Sequence, residues 1–379
     1  MRIAQIGPRI DDESSGVGLA VRMLCDEMVK RGNAVELHLI EPVHECVRNG
    51  KYSVHSYHPW PVAGKFGFAP KAMSGLRAAC GRSDILHSNS LWLYVNQIPA
   101  TAIQHTNCKL IISSHGMLSS WALARSSIFK KVLWGVGQHK TLLRAACLHA
   151  TSQFEYREIR NVGLRSPVAV IPYGVEMPPE IQWSQDGKLR RLLFLSRIHP
   201  KKGVDALLKC WSILQSKHAD WELAIVGPDD GGYRDQYKSL ASSSGLQRVS
   251  FHDAVHGKEK IERFSSSELY VLPTHSENFA FTVAESLSCG VPVITTTGAP
   301  WQGLVEHRCG WWIDMSVEAL TDCLDKAMRL SSEELRDMGA RGRQWMQRDF
   351  AWPTVAGKML TTYEWVLHGG NRPEWIQID

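Results

Sequence analysis

Glu277 and Glu285 bracket the segment Glu277-Asn278-Phe279-Ala280-Phe281-Thr282-Val283-Ala284-Glu285, with seven residues between the two acids. The apolar run Leu269-Tyr270-Val271-Leu272-Pro273 precedes it, and Ser286-Leu287-Ser288-Cys289-Gly290-Val291-Pro292-Val293-Ile294-Thr295 follows. The pattern predicts a strand, a short loop, a helix stopped by glycine, and a second strand. The first acid then sits in the loop and the second inside the helix. Backbone N–H groups from Asn278 to Thr282 form a helix N-terminus, whose partial positive charge favours an anion. An acid on either side of an anion site suits a ligand with a diphosphate in its middle. A sugar nucleotide is such a ligand, with sugar hydroxyls for Glu277 and ribose hydroxyls for Glu285. Spacing alone does not decide this, because surface helices carry many glutamates. The position of Glu277 adds weight, since open α/β sheets bind ligands at the C-terminal ends of their strands.

The elements that must position these acids recur twice. Arg2 to Gly7 reads as a strand, Pro8 to Val17 as a polar loop, Gly18 to Arg31 as a helix stopped at Gly32-Asn33, and Ala34 to Ile40 as the next strand. A second copy opens at Arg191 to Ser196, continues through a loop from Arg197 to Lys202 and a helix from about Val204 to Leu214, and reaches a strand at Trp221 to Val226. Further strands are predicted at Asp84–His87, Lys109–Ser114, Cys147–Thr151 and Val168–Pro172 in the first half. In the second they are Val249–His252, Leu269–Leu272 and Pro292–Thr297. Alternating strands and helices imply parallel sheets, and two such openings imply two doubly wound domains. The expected division is 1–175 and 176–352, with the aperiodic stretch Glu176-Met177-Pro178-Pro179-Glu180 as linker and a C-terminal helix from about 353.

The 379 residues suffice for two domains, and 44% hydrophobic with 21% charged residues describes a folded chain rather than a disordered one. Nine scattered cysteines without a Cys-x-x-Cys pair indicate neither a zinc site nor a disulfide framework, and free thiols suit a reducing cytosol. No apolar run approaches the length of a membrane span, and Met1 to Gly7 lacks a signal-peptide shape. A cytoplasmic location is expected. The net charge of +5 is compatible with anionic ligands, and no nucleic-acid motif accompanies it.

With these features in place, the chain resembles the family 4 glycosyltransferases of GT-B fold over almost its whole length. The segments that carry the likeness are Gly16-Val17-Gly18, His115-Gly116, Pro172-Tyr173-Gly174-Val175, Ser196-Arg197 with Lys202-Gly203, Val226-Gly227, and the two acids of the opening. The resemblance implies an α/β protein of two Rossmann-like domains facing across a cleft, with the acceptor mainly on the first and the donor mainly on the second. It implies that the C-terminal segment, about 353–379, crosses back to the first domain. It implies retaining chemistry without a metal ion or other cofactor, and no Asp-x-Asp pair occupies a strand end. Asp11-Asp12 and Asp229-Asp230 read as turn or surface residues.

The resemblance also assigns roles. Arg197 and Lys202 match basic positions for the diphosphate, where fixed cations stabilise the charge that grows on the leaving group. The other reading of Lys201-Lys202 is a solvated turn. Gly16 and Gly18 match a loop that lets backbone approach the phosphate, or else form an ordinary turn. His115 matches a residue near the donor sugar, whereas a lone histidine is more often structural. His149 and His252 read as structural. Glu277 matches the donor-sugar acid, with Asn278, Phe279 and Ala280 offering backbone N–H groups. Thr282 matches a position near the diphosphate or is a plain helix residue. Glu285 matches the ribose clamp.

The expected activity is transfer of a hexose from a nucleotide-diphosphate sugar to a glycan or lipid-linked glycan acceptor in surface polysaccharide or lipopolysaccharide synthesis. The alternatives are another GT-B enzyme, such as a sugar-nucleotide epimerase or α-glucan synthase, and a binding protein without turnover. The basic segment from Trp121 to Arg144 either lies on an anionic membrane as an amphipathic helix or packs on its domain as a solvated one.

Overall fold

A computed structural model describes residues 1–7, 16–40, 51–60, 67–124, 127–179 and 189–378. The chain forms two compact units. The first is Met1–Gly174 together with Trp352–Asp379, and the second is Val175–Ala351.

In the first unit, strands β1 (Arg2–Gly7), β2 (Ala34–Ile40), β3 (Ser53–Tyr57), β4 (Ile85–Asn89), β5 (Lys109–Ser113), β6 (Cys147–Ala150) and β7 (Val168–Val170) pair in parallel. Their order is β7-β6-β5-β4-β1-β2-β3, and the short strand Ile376–Gln377 adds antiparallel beyond β7. The helix Gly16–Lys30 begins two residues before the sequence pattern placed it. Gly16 and Gly18 therefore occupy its first turn rather than a loop, while residues 8–15 lie outside the described residues. The central strands are buried on both faces, as helices on both sides of a parallel sheet require.

In the second unit, β8 (Arg190–Leu195), β9 (Trp221–Val226), β10 (Val249–His252), β11 (Leu269–Leu272), β12 (Val293–Thr296) and β13 (Gly310–Ile313) form an all-parallel sheet in the order β10-β9-β8-β11-β12-β13. Counting from β8, the order is third, second, first, fourth, fifth, sixth. The direction of winding reverses between β8 and β11. Because every strand is parallel, the loops after β8 and β11 emerge side by side at one edge, and such a switch point opens a crevice for ligands.

Candidate active site

Lys202 and Glu277 meet at that switch point. Pro200–Lys202 form one 3₁₀ turn after β8, and Gly203 ends it at φ 72°. A Cβ at Gly203 would lie 1.9 Å from the Pro273 carbonyl oxygen, so only glycine lets the loop after β8 press against the end of β11. The two loops are then clasped by hydrogen bonds. His275 N–H donates to the Lys201 carbonyl at 2.9 Å, and the Thr274 hydroxyl lies 3.1 Å from the same carbonyl. Glu277 N–H donates to the Gly298 carbonyl at 2.7 Å, which fixes the acid's backbone against the loop after β12.

The Lys202 ammonium forms an ion pair with Glu277 Oε1. The Thr274 hydroxyl is 2.9 Å from the same oxygen. Both side chains are nearly buried, 10% and 12% exposed, so the pair sits where charges interact strongly and where losing one partner strands the other. Both contacts fall on Oε1, and Oε2 accepts no protein hydrogen bond among the described residues. The sequence reading gave Glu277 the donor sugar and Lys202 the diphosphate. The structure couples them directly, so the position of each depends on the other.

After Glu277 the chain turns into the helix Phe281–Ser288. Its N-cap is Ala280 at φ 66°, a left-handed conformation that a residue with a Cβ adopts at a cost, and no side chain caps the helix. The Phe279 ring is buried against Phe281, Trp301 and Phe350, and the Trp301 indole N–H donates to the Phe279 carbonyl. This packing holds the strained turn. The backbone of Asn278, Phe279 and Ala280 thus leads directly into the N-terminal turn. The Thr282 hydroxyl does not stand clear for a ligand: it is 2.7 Å from the buried Tyr270 hydroxyl, which also lies 3.1 Å from the Leu195 carbonyl. What Thr282 brings to the N-terminal turn is its backbone.

Glu285 lies one turn into this helix. Its Oε1 accepts from the Lys260 ammonium at 2.5 Å, while Oε2 is buried without a hydrogen-bond partner. An unpaired buried carboxylate oxygen is costly, and a hydroxyl group of a ligand would satisfy it. Lys260 is on the helix Gly257–Ser265 that follows β10, and the sequence reading missed it. Arg197, on the loop after β8, is 59% exposed and paired at 2.8 Å with Asp230. Asp230, read from sequence as a turn residue, is therefore the partner that holds this cation; Asp11 and Asp12 are outside the described residues.

In the first unit, His115 follows β5 at φ 51° and is buried. Asn89, at the end of β4, spends its amide N–H groups on Gln5 Oε1 and the Ile6 carbonyl, each at 3.0 Å. Its Oδ1 is then the acceptor for His115 Nε2–H at 3.1 Å, which makes His115 Nδ1 the acceptor of the Tyr173 hydroxyl. Burial, with a smaller effect of His149, pushes the His115 pKa down to about 3, so the ring is neutral. Both nitrogens are engaged, and His115 can donate to a sugar hydroxyl only by giving up Asn89. Glu155 braces the turn by accepting from Gly116 N–H and the Ser114 hydroxyl on one oxygen and from Thr151 N–H and its hydroxyl on the other. The signal for Glu155 was the Ser152-x-x-Glu155 spacing of a capping box.

His149 is buried and structural, donating to the Ile171 carbonyl at 2.7 Å. His252 is partly buried and 3.0 Å from the Ser250 hydroxyl. Among the described residues one trio has the spacing of a metal site, Glu36, His38 and His55, with ligand atoms within 4.8 Å of one another. It lies on β2 and β3 of the first unit, and Arg82 and Ser83 already bond Glu36.

Comparison with known proteins gives this arrangement its family. Residues 14–177 match the family described as Glycosyltransferase Family 4, and residues 180–345 match the one described as Glycosyl transferases group 1. A D-inositol 3-phosphate glycosyltransferase of Arthrobacter sp. is 33% identical over 185 residues, 45% of this chain and 42% of that protein, so this match spans less than half of the relative. A GDP-mannose-dependent monoacylated alpha-(1-6)-phosphatidylinositol monomannoside mannosyltransferase of Corynebacterium glutamicum is 26% identical over 69% of this chain and 71% of its own. The fold is shared with HepE of Anabaena, solved with UDP and glucose, at a TM-score of 0.75 and 16% identity over 96% of this chain and 99% of that one. The two family matches in tandem, on two parallel-sheet units of the GT-B fold, make this chain a glycosyltransferase of family 4.

Proposed function

We propose that the protein is a retaining, metal-independent hexosyltransferase that uses a nucleotide-diphosphate sugar. The observation that carries this reading is the Lys202–Glu277 pair at the second unit's switch point, beside an uncapped helix N-terminus. The sugar's hydroxyls bond Glu277 Oε2. The diphosphate meets Lys202, Arg197 and the backbone N–H groups at the start of the helix. The ribose hydroxyls bond the vacant Oε2 of Glu285. Support comes from relatives: one is named for GDP-mannose dependence, and HepE was solved with UDP and glucose.

In the reaction the bond from the sugar's anomeric carbon to the β-phosphate oxygen breaks, and the electron pair leaves with the nucleoside diphosphate. The acceptor oxygen attacks the same face and forms the new bond. Its proton passes to a phosphate oxygen of the departing group. Lys202 acts by stabilising the charge that develops there, which is the most effective use of a fixed cation. Glu277 orients the sugar; with Glu285 engaged by Lys260 and the ribose, no second carboxylate is assigned across the bond to complete a double-displacement pair. Among the first unit's residues, His115 is a neutral hydrogen-bond donor rather than a base. That unit presents the acceptor, a glycan or lipid-linked glycan of surface polysaccharide or lipopolysaccharide synthesis, and the protein works as a peripheral enzyme at the cytoplasmic face of a membrane. No helix among the described residues is long and apolar enough to cross one.

Thermal unfolding against UDP-, GDP- and ADP-sugars in EDTA tests the donor assignment. One base should stabilise the fold by about 2.7 kcal/mol at a hundredfold excess over its dissociation constant. No shift with any of them would overturn it.

A further inference from the structure

The helical stretch 127–143 places apolar side chains in water. Ile128, Val132, Val136 and Leu143 are 80%, 56%, 75% and 54% exposed, four of the ten large exposed hydrophobics among the described residues. Positions 128, 132 and 136 recur every four residues and 143 follows two turns later, so they form one stripe along the helix. A frayed helix would not explain this, because its opposite face is anchored. Gln138 Oε1 accepts from Trp92 N–H at 3.0 Å, and the Thr141 hydroxyl donates to the Gln97 carbonyl at 2.7 Å. Leu133, Trp134 and Leu142 pack into the first unit's core.

Charge identifies what covers the stripe. From residue 85 to residue 154 the sequence contains no Asp or Glu, yet it carries Lys109, Arg125, Lys130, Lys131, Lys140 and Arg144. Lys131, Lys140 and Arg144 are exposed beside the stripe. An apolar line flanked by cations, on a stretch of sequence without carboxylates, fits a surface that offers acyl chains under anionic headgroups. A protein partner would be matched by mixed charge instead.

We infer that the helix 127–143 is a membrane-docking element that lies flat on an anionic bilayer, with Ile128, Val132, Val136 and Leu143 inserted at the headgroup boundary and Lys131, Lys140 and Arg144 on lipid phosphates. The inference deepens the proposed peripheral, lipid-linked reaction and relies on it for purpose, while its residues belong to the first unit and those of the donor site to the second.

The test is co-sedimentation of the full chain with phosphatidylcholine vesicles, with and without one-third phosphatidylglycerol. The wild type should pellet with the anionic vesicles only, and less as salt rises. Val132→Asp with Val136→Asp, and separately Lys131→Glu with Lys140→Glu, should each lower binding about tenfold or more, the scale of losing two anchoring residues. Both pairs are exposed, so folding and donor-induced stabilisation should be unchanged. Equal pelleting of the aspartate variant, or no pelleting of the wild type, would overturn the inference. So would a wild-type dimer in sedimentation velocity that the aspartate variant converts to monomer, since a second copy would then cover the stripe. Failed vesicle binding with intact donor binding removes the docking element alone. Failed donor binding with intact vesicle binding removes the glycosyl-transfer reading alone.

Discussion

At the residue scale, the two glutamates of the second unit are not equivalent. Glu277 is tied to Lys202 and Glu285 to Lys260, and the proposed mechanism puts only the first pair beside the bond that breaks. A ribose clamp acts almost equally on ground and transition states, so Glu285→Ala should raise the donor KM by about tenfold to a hundredfold with little change in kcat. Glu277→Ala should lower kcat, because the sugar ring moves and gains charge during transfer and because Lys202 loses its partner. Steady-state kinetics with varied donor separates the two. Identical signatures would contradict the division. The acids were legible in the sequence because one sits just beyond an apolar strand and the other inside a patterned helix, and Lys202 was legible through the family resemblance. Their partners were not. Lys202 and Glu277 are 75 positions apart, Lys260 and Glu285 are 25 apart, and neither spacing carries a local period. Thr282 shows the same limit, since only the fold reveals that Tyr270 takes its hydroxyl.

At the element scale, the helix Gly257–Ser265 supplies the cation that holds Glu285, so the proposed ribose clamp depends on an element with no donor motif of its own. Lys260→Met keeps the stem and removes the charge. It should raise the donor KM by about tenfold, the cost of a lost charge-assisted hydrogen bond, and leave kcat near wild type. An unchanged KM would mean Glu285 is positioned without Lys260. Most strands were readable as apolar runs bounded by turn residues, yet three were missed for identifiable reasons. β3 is Ser-Val-His-Ser-Tyr, a polar edge strand with no buried face. β13 opens on glycine and runs four residues, and Ile376–Gln377 is only two residues long. The helix Gly16–Lys30 started earlier than expected because two glycines were taken as loop, where their low helix propensity is outweighed by the rest of the helix.

At the scale of the whole molecule, the C-terminal segment is stitched into the first unit by a neutral hydrogen-bond chain. Gln5 donates to the Tyr363 hydroxyl, which donates to His87 Nδ1; His87 Nε2–H donates to Ser113, and Ser113 donates to His149, whose other nitrogen donates to the Ile171 carbonyl. Burial lowers the pKa values of His87, His115 and His149, further helped at His87 and His115 by His149. The unfolded chain takes up protons near the ordinary histidine value of about 6.5 and the folded one does not, so this stability is complete above that pH and is lost as pH falls below it. Thermal unfolding should therefore weaken from pH 7 to pH 5, before carboxylates matter. Glu36 adds a second, lower window. Burial pushes its pKa up, but His38 at 3.6 Å and hydrogen bonds from Arg82 and Ser83 outweigh that and hold it at about 2, so its contribution is lost as pH falls from about 4.5 towards 2. A flat unfolding temperature from pH 7 to pH 5 would contradict the buried neutral histidines.

In the proposed mechanism one cation, Lys202, meets the leaving diphosphate at the second unit's switch point. Single-turnover transfer by Lys202→Ala, measured against wild type in excess EDTA at saturating donor, tests this most directly. Because that change strands Glu277, the double variant Lys202→Met with Glu277→Gln is measured beside it, with circular dichroism to establish that both are folded. Wild type should be unaffected by chelator, and both variants should be slower by roughly a hundredfold or more, about 3 kcal/mol of lost transition-state stabilisation. A folded variant that transfers at the wild-type rate, or a wild type silenced by EDTA and restored by Mg²⁺ or Mn²⁺, would contradict it.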